Sequence, residues 1–237
     1  MRSKSQPSMM CMTVILSLGL SACSGSDDPS DAPADAAQAD PAEASSEEQT
    51  LAVAAATLSD GPDVCFDAIT EHLGAETKVS EITSFFSTGP GIDGTETKPQ
   101  GQMTICTVEY QSPDDPRKLV STRLDIESGE FTPPQPIEIT VMGNAAQFDL
   151  EDYLIPLSQI DASGLTSVME AQKSRLGDVY SSYAWSGVRL SAPDAFSDTH
   201  TLRLDVEGRL TSNDIKESGY ASVSTDGKTI TADHLTP

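Results

Sequence analysis

Three histidines, His72, His200 and His234, are the side chains best suited to acid–base or metal chemistry in this sequence. His72 falls near the end of a predicted helix, where the helix dipole favours a cation, so a capping or half-buried role is expected. His200 follows Asp198 by two residues, and a carboxylate so placed could orient an imidazole base. No serine-hydrolase, zinc-protease, phosphate-loop or dinucleotide motif accompanies them. We therefore assign no catalytic residue, no metal site and no cofactor.

Carboxylates and aromatic residues are weaker candidates. The chain has 37 acidic residues, so adjacent pairs such as Glu151-Asp152 arise by chance and are poor evidence of acid–base catalysis. Tyr183 and Trp185 alternate along a predicted strand and share one face, whereas Tyr180 falls on the other. The pair is either part of the core or a candidate recognition patch, because aromatic side chains often anchor interfaces.

The first 23 residues have the parts of a secretory signal. Arg2 and Lys4 form a short positive region, and an apolar segment over residues 9–20 follows. That segment is too short for a membrane span, which needs about 20 apolar residues. At its end, Leu20-Ser21-Ala22-Cys23 resembles the bacterial lipobox (Leu, small, small, Cys) at every position. Cys11 lies inside the apolar segment and fits no such motif.

The resemblance implies a lipoprotein precursor. In that family, residues 1–22 are the signal peptide, a diacylglyceryl group is attached to the sulfur of Cys23, and the new amine can be acylated with a chain such as palmitate. Two or more acyl chains hold a protein stably on a membrane without spanning it. Ser24, where an aspartate would favour inner-membrane retention, implies the periplasmic side of the outer membrane. In a cell with one membrane, the implied location is its outer face.

Charge and composition describe the next segment, residues 23–60. Cleavage before Cys23 removes two basic residues and no acid, so the mature chain has a net charge of −25. Such a chain is not expected to bind nucleic acid, because binding a polyphosphate requires basic patches. After Cys23 the segment holds nine acids and no lysine, arginine or aromatic residue. It cannot bury enough apolar surface to fold, so we predict a disordered acidic linker.

With Cys11 removed and Cys23 lipidated, as the resemblance implies, two cysteines remain. An even remainder in an exported protein favours one disulfide, here between Cys65 and Cys106. The alternatives are a metal pair and a redox pair. A metal site requires more ligands at short spacing, and a redox pair usually has the Cys-x-x-Cys pattern. The expected bond joins the first helix to the strand Met103–Tyr110.

Residues 61–237 are numerous enough for one globular domain with a core. Apolar residues recur at helical spacing in two segments and alternate with polar residues elsewhere, which is typical of antiparallel sheet. We predict an α+β fold with helices packed on one side of a sheet. The order of elements predicts two helix-plus-antiparallel-meander units, residues 61–145 and 146–237. The predicted helices lie between Asp63 and Gly74 and between Ser163 and Gly177.

The predicted strands are bounded by turn residues. Three prolines, Pro133, Pro134 and Pro136, are expected to interrupt the chain before one strand, and Asp226-Gly227 favours a two-residue hairpin. The predicted strands are Lys78–Phe86, Gln102–Tyr110, Leu119–Ile126, Ile137–Val141, Val179–Leu190, Thr201–Val206, Gly219–Thr225 and Lys228–Ala232.

Two functional hypotheses follow. The first is a membrane-anchored envelope lipoprotein with a non-catalytic binding or adaptor domain, whose partner is another envelope protein or a small ligand. The alternative is an envelope enzyme, hydrolase-like, with a site assembled from dispersed residues. An apolar cleft around Trp185 with no perturbed titratable groups would favour the first hypothesis. A cleft in which His200 or His72 meets a serine or a carboxylate would favour the second.

Overall fold

The computed structural model describes residues 56–141, 144–194 and 197–237. The predicted signal peptide, the lipobox-like motif at Cys23 and the predicted linker as far as residue 55 lie outside the described residues. The described ranges hold most of the region predicted to fold and the five residues before it.

Two α-helices and nine strands form the regular structure of these ranges, together with short 3-10 turns. The helices are α1 (Val64–Leu73) and α2 (Leu165–Val179). The strands are β1 (Lys78–Phe86), β2 (Met103–Gln111), β3 (Leu119–Arg123), β4 (Gln135–Ile137), β5 (Ile155–Pro156), β6 (Tyr180–Ser191), β7 (Thr201–Leu210), β8 (Lys216–Val223) and β9 (Ile230–His234).

All nine strands belong to one antiparallel sheet. Its order is β4-β3-β2-β1-β6-β7-β8-β9, and β5 pairs with the Lys78 end of β1. The sheet is continuous because β1 and β6 pair at its centre, from Ile82 opposite Leu190 to Phe85 opposite Gly187. The α+β expectation is compatible with this architecture, in which the sheet predominates.

Alternation along the strands divides the sheet into a covered face and an open face. Alternate apolar residues of the central strands are buried on the covered face, among them Ile82, Val108, Val188 and Leu204. Side chains of both helices belong to the same buried cluster, namely Cys65 and Ile69 from α1 and Leu165 and Leu176 from α2. Burying each such aliphatic side chain stabilises the fold by about 1.5–3 kcal/mol, so this face holds the core.

A disulfide links α1 to the sheet. Cys65 and Cys106 are bonded, with their Cα atoms 5.6 Å apart, and both side chains are fully buried. The predicted pairing is confirmed. The covalent bond holds the ten-residue helix α1 against β2, near the middle of the sheet.

The ordered domain begins earlier than predicted. The linker was expected to extend to residue 60, whereas Ala56 is buried and Thr57 bridges to Gln102. The amide of Leu58 donates to the carbonyl of Gly101 at 2.8 Å. These backbone hydrogen bonds attach the last residues of the linker beside the start of β2.

Two connections differ from the expected turns. Strand β8 ends at Val223 and β9 begins at Ile230, so the connection is longer than the two-residue hairpin predicted at Asp226-Gly227. This turn packs against the segment before α2. There the amide of Asp161 donates to the carbonyl of Thr225 at 2.8 Å. Pro136 lies within β4 rather than before a strand. An edge strand tolerates proline, since one side of it has no neighbour to receive a donor.

Candidate ligand-binding groove

The open face of the sheet is formed by charged and hydroxyl side chains. On β7, the core residues Leu202, Leu204 and Val206 alternate with residues that point the other way. Because successive side chains of a strand point to opposite faces, these residues lie together on the open face. They are Arg203, Asp205, Glu207 and Arg209.

The connection between β1 and β2, residues 87–102, forms a wall over this face. It is closed at its base, where the amide of Ser87 donates to the carbonyl of Gln102 at 2.8 Å. Its middle is tied to the sheet by Arg209, whose Nε donates to the carbonyl of Ile92 at 2.9 Å. Ile92 itself is 2 % exposed. The wall is therefore anchored at both its base and its middle.

Between the wall and β6, β7 and β8 lies an open groove of about 490 Å³. This volume falls within the range of small-molecule sites. Its lining is mostly polar, with an aromatic residue at each side, Phe85 and Tyr220. Three hydroxyl side chains, from Thr88, Ser186 and Ser218, also line it.

Two arginines on the floor of the groove share one carboxylate. Arg189 donates from Nε and Nη2 to Asp205 at 2.9 and 3.1 Å, and Arg203 donates from Nε to the same group at 2.8 Å. Asp205 is 15 % exposed, while Arg189 and Arg203 are 28 % and 34 % exposed. The cluster carries a net charge of +1, and outer N–H groups of both guanidinium groups remain available for further hydrogen bonds.

Aromatic rings hold these arginines in place. The guanidinium carbon of Arg203 lies 3.7 Å from the ring centre of Tyr220, and that of Arg189 lies 5.7 Å from the ring centre of Phe85. Stacking on a ring leaves the edge of a guanidinium group free to donate in its own plane. The geometry suits a planar oxyanion such as a carboxylate.

A close backbone approach makes this floor possible. A Cβ on Gly187 would lie 2.8 Å from Cδ1 of Phe85 and 3.0 Å from Oδ2 of Asp205. Any larger residue at this position would therefore push the aromatic ring or the shared carboxylate out of place. Glycine at position 187 lets β6 bring both groups together.

The other end of the groove is acidic. Lys216 donates to Asp93 at 2.7 Å and contacts Glu207 at 2.8 Å, so these three groups carry a net charge of −1. Hydrogen bonds from Lys216 and Thr95 hold the pKa of Asp93 well below its usual range. The hydrogen bonds that Lys216 forms with Asp93 and Glu207 raise the pKa of Lys216. Asp93 and Lys216 therefore stay ionised at neutral pH.

Glu96 adds a further carboxylate to the lining of the groove. Its amide donates to the carbonyl of Asp93 at 2.9 Å, which turns the chain so that Glu96 lines the groove. The side chain is half-buried, and no hydrogen bond or ion pair to its carboxylate occurs among the described residues. A partly desolvated charge of this kind gains from a cationic partner.

A second cavity, of about 520 Å³, adjoins the groove. Both are lined by Arg203 and Tyr220, so the stacked pair forms their common boundary. The second cavity is lined by hydroxyl groups, including those of Thr201 and Ser222, and by His234.

The aromatic residues singled out in the sequence belong to the covered face. Trp185 is 7 % exposed and lies in the core, and Tyr183 is half-buried against the same cluster. Of the two alternatives that the sequence left open, core residue or recognition patch, Trp185 is therefore a core residue. Tyr180 is also in the core and donates to the carbonyl of Leu235 at 3.0 Å. The expectation that it faces the other way is wrong, because a register shift between Tyr180 and Ser182 inserts one residue.

The three histidines lie apart in the fold. His200 places Nε2 3.1 Å from the carbonyl of Tyr153, and burial lowers its pKa. His72 stacks on Phe131, and His234 lies beside Tyr220. Within the described ranges, none of the three forms a hydrogen bond or ion pair with a serine or a carboxylate. The suggested pairing of Asp198 with His200 is replaced by the Tyr153 contact.

Sequence reasoning missed every charged residue of the groove. Arg203, Asp205 and Glu207 alternate with apolar residues, which is also the pattern of an ordinary solvated strand face. One sequence feature could have pointed to the groove. Two of the few arginines, Arg189 and Arg203, fall on the polar positions of adjacent strands. Nothing in their spacing indicates that a distant loop covers them.

Comparison with protein-family models, with curated proteins and with solved structures found no match to this chain. In the part of the chain that the structure describes, no helix is long and apolar enough to cross a membrane. The same residues contain no group of three or more His, Cys, Asp or Glu side chains placed to hold a metal ion.

Proposed function

We propose that this protein is a lipid-anchored envelope lipoprotein whose folded domain binds a ligand or partner in the open-face groove without transforming it. The observation that carries the proposal is the groove itself, whose floor and wall are fixed by the Arg189–Asp205–Arg203 cluster and the Arg209 contact. Most of its charged groups are paired with one another, and they line a shared cavity together with Glu96. This arrangement suits recognition, since preorganised groups lose little freedom on binding.

The anchor is the second part of the proposal. Cys23 carries the lipid, the chain lies on the periplasmic side of the outer membrane where two membranes exist, and residues 24–55 act as its tether. The lipobox match and the acidic, aromatic-free composition of the tether support this part.

We further propose that residues 61–145 and 146–237 are two units of one plan. The order of elements supports this division, because each half has a helix followed by four strands of a meander. The strand order supports it as well, since β1 and β6 are the first strands after each helix and meet at the centre of the sheet.

The enzyme alternative finds less support. A general base must lie within hydrogen-bond reach of the group that it activates. His200 uses Nε2 on a backbone carbonyl, and His72 stacks on a phenyl ring.

Site-specific photo-crosslinking in living cells tests the binding function on the full chain. A photoreactive phenylalanine analogue at Ser218, an exposed residue in the groove, should give a discrete adduct on intact-mass analysis. The matched control carries the analogue at Ser174, an exposed serine of α2. Equal labelling at both positions, or none at Ser218, would reject the groove as the binding site.

The anchor has a separate test. Cys23→Ser should abolish labelling by a palmitate analogue and release the protein from membranes or stall its processing. Persistent labelling of that variant would exclude Cys23 as the lipidated residue.

A further inference from the structure

We propose that the groove binds a zwitterionic ligand of short-peptide length, with its carboxylate on Arg189 and Arg203 and its ammonium on Glu96. This inference rests on the proposed binding function and names the ligand class. It starts from the two ends of the groove, which carry opposite charge.

The arginine end has an excess of donors. Asp205 takes one N–H group of Arg203 and two of Arg189, while each guanidinium group has five. Each guanidinium carbon lies over an aromatic ring, and about two-thirds or more of each side chain is buried. A carboxylate reaching this end would therefore find fixed, partly desolvated donors in a protein whose net charge is otherwise strongly negative.

The acidic end has an excess of acceptors. Lys216 neutralises one of the two carboxylates that it contacts, and Glu96 has no partner among the described residues. Two net negative charges consequently remain at this end, beside the arginine cluster with its net charge of +1. An ammonium group is the complementary ligand group, because it supplies three donors to several carboxylate oxygens.

The distance between the ends sets the length of the ligand. Along β7, Glu207 lies about 7 Å from Asp205 and about 14 Å from Arg203. Glu207 shares Lys216 with Asp93, and Glu96 follows Asp93 by one turn of the chain. Two or three residues of an extended peptide span about 7–11 Å between ammonium and carboxylate. A free amino acid is too short to contact both ends at once.

The walls indicate what lies between the two charged groups. Thr88, Ser186 and Ser218 line the groove, and a hydroxyl group can donate to a peptide carbonyl or accept from a peptide amide. Few apolar side chains line the cavity, so small ligand side chains are expected. Tri-alanine is therefore the simplest probe.

Calorimetric titration of the full-length chain in detergent tests the inference. Tri-alanine should bind, whereas N-acetyl-tri-alanine and tri-alanine amide should each bind about tenfold or more weakly, because each lacks one charged hydrogen-bonding end. Inorganic phosphate is the control ligand that has a negative charge but no ammonium group. Phosphate binding as tight as that of tri-alanine would identify a simple oxyanion site and overturn the peptide assignment.

Two variants locate the ends. Glu96→Gln should weaken the binding of tri-alanine but leave the weak binding of N-acetyl-tri-alanine unchanged. Arg203→Gln should likewise weaken the binding of tri-alanine but leave the weak binding of tri-alanine amide unchanged. Glu76→Gln, an exposed carboxylate outside the groove, is the control for charge. Since the Glu96 carboxylate has no partner in the described ranges, its replacement is not expected to disturb folding.

The outcomes separate this inference from the function on which it rests. If tri-alanine fails to bind at millimolar concentration while the Ser218 crosslink persists, the groove is a binding site and the ligand class is wrong. If the crosslink is absent as well, both proposals fail. If tri-alanine binds but Glu96→Gln does not weaken it, the ammonium is not held at Glu96 and the inference is overturned.

Discussion

The two faces of the sheet are built from the same strands but are held by different forces. On the covered face, the core residues touch the helices and one another, and a disulfide links α1 to β2. On the open face, ion pairs and hydrogen bonds hold arginines and carboxylates in fixed positions around a groove. Under the proposed function, stability and recognition are separated across one sheet, and the neighbours Leu204 and Asp205 lie on its opposite faces.

The largest expected effect is a truncation on the covered face. Leu204→Ala should lower the free energy of unfolding by about 2–5 kcal/mol, because it removes a fully buried side chain and leaves a cavity. Urea denaturation measures the change. A loss below 1 kcal/mol would mean that the covered face is not the main source of stability.

Loss of the disulfide should come next. Replacing both Cys65 and Cys106 with alanine should lower the free energy of unfolding by about 4 kcal/mol at most, since the bond closes a loop of about 40 residues. Intact-mass measurement with and without reductant before alkylation first establishes the bond in the exported protein. Ligand binding in the groove should persist in the folded fraction of the variant, and its disappearance would contradict the separation of the two faces.

A smaller effect is expected from the open face. Asp205→Asn should cost about 1–2 kcal/mol, because its ion pairs lie between the exposed and the fully buried cases. Groove binding should fall much more than stability does, since both arginines lose their shared anchor. A stability loss as large as that of Leu204→Ala would place Asp205 among the main stabilising residues. Glu76→Gln serves as the control in the same urea titrations.

The smallest effect is pH-dependent. Glu109 lies opposite Glu81 in the β1–β2 pairing, and burial, with a smaller contribution from Glu81, raises the pKa of Glu109 above its ordinary value of 4.5. The folded state thus holds this proton more tightly than the unfolded state, and the protein loses stability as the pH rises through the folded pKa. Glu109→Gln should therefore be more stable at pH 7 by about 0.2–1 kcal/mol, the size typical of like charges across a strand pair.

Thermal melts of Glu109→Gln and the parent chain at several pH values check the sign. The advantage should vanish below pH 4, where the parent residue is protonated in both states. An advantage that grows as the pH falls would reverse the assignment.

The covered face was largely predictable from local patterns. Val108, Leu204 and their neighbours alternate with polar residues, and this alternation alone assigns them to one face. Cys65 and Cys106 were paired because few cysteines remain after the lipidation motif is set aside. Trp185 could not be assigned in advance, because a buried aromatic residue and an exposed one have the same local pattern.

Boundaries and registers were less predictable. Tyr180 reached the core through an inserted residue in β6, and nothing in the local sequence marks that insertion. The connection after β8 is longer than a two-residue hairpin, and it contacts Asp161, a residue more than sixty positions earlier in the chain. Such contacts depend on the docking of separate segments rather than on the preferences of a turn.

By itself, the sequence determined the lipobox-like pattern that ends at Cys23, the acidic composition of the predicted linker, and the apolar periodicity of helices and strands. These are local properties, readable within a few residues of the chain. Only the tertiary structure decided that residues 87–102 cover the open face and that Glu96 joins Arg189 and Arg203 around one cavity. These residues are about 90 positions or more apart from the arginines, and their meeting depends on strand order and register, which a hydrophobic pattern with a period of two leaves undetermined.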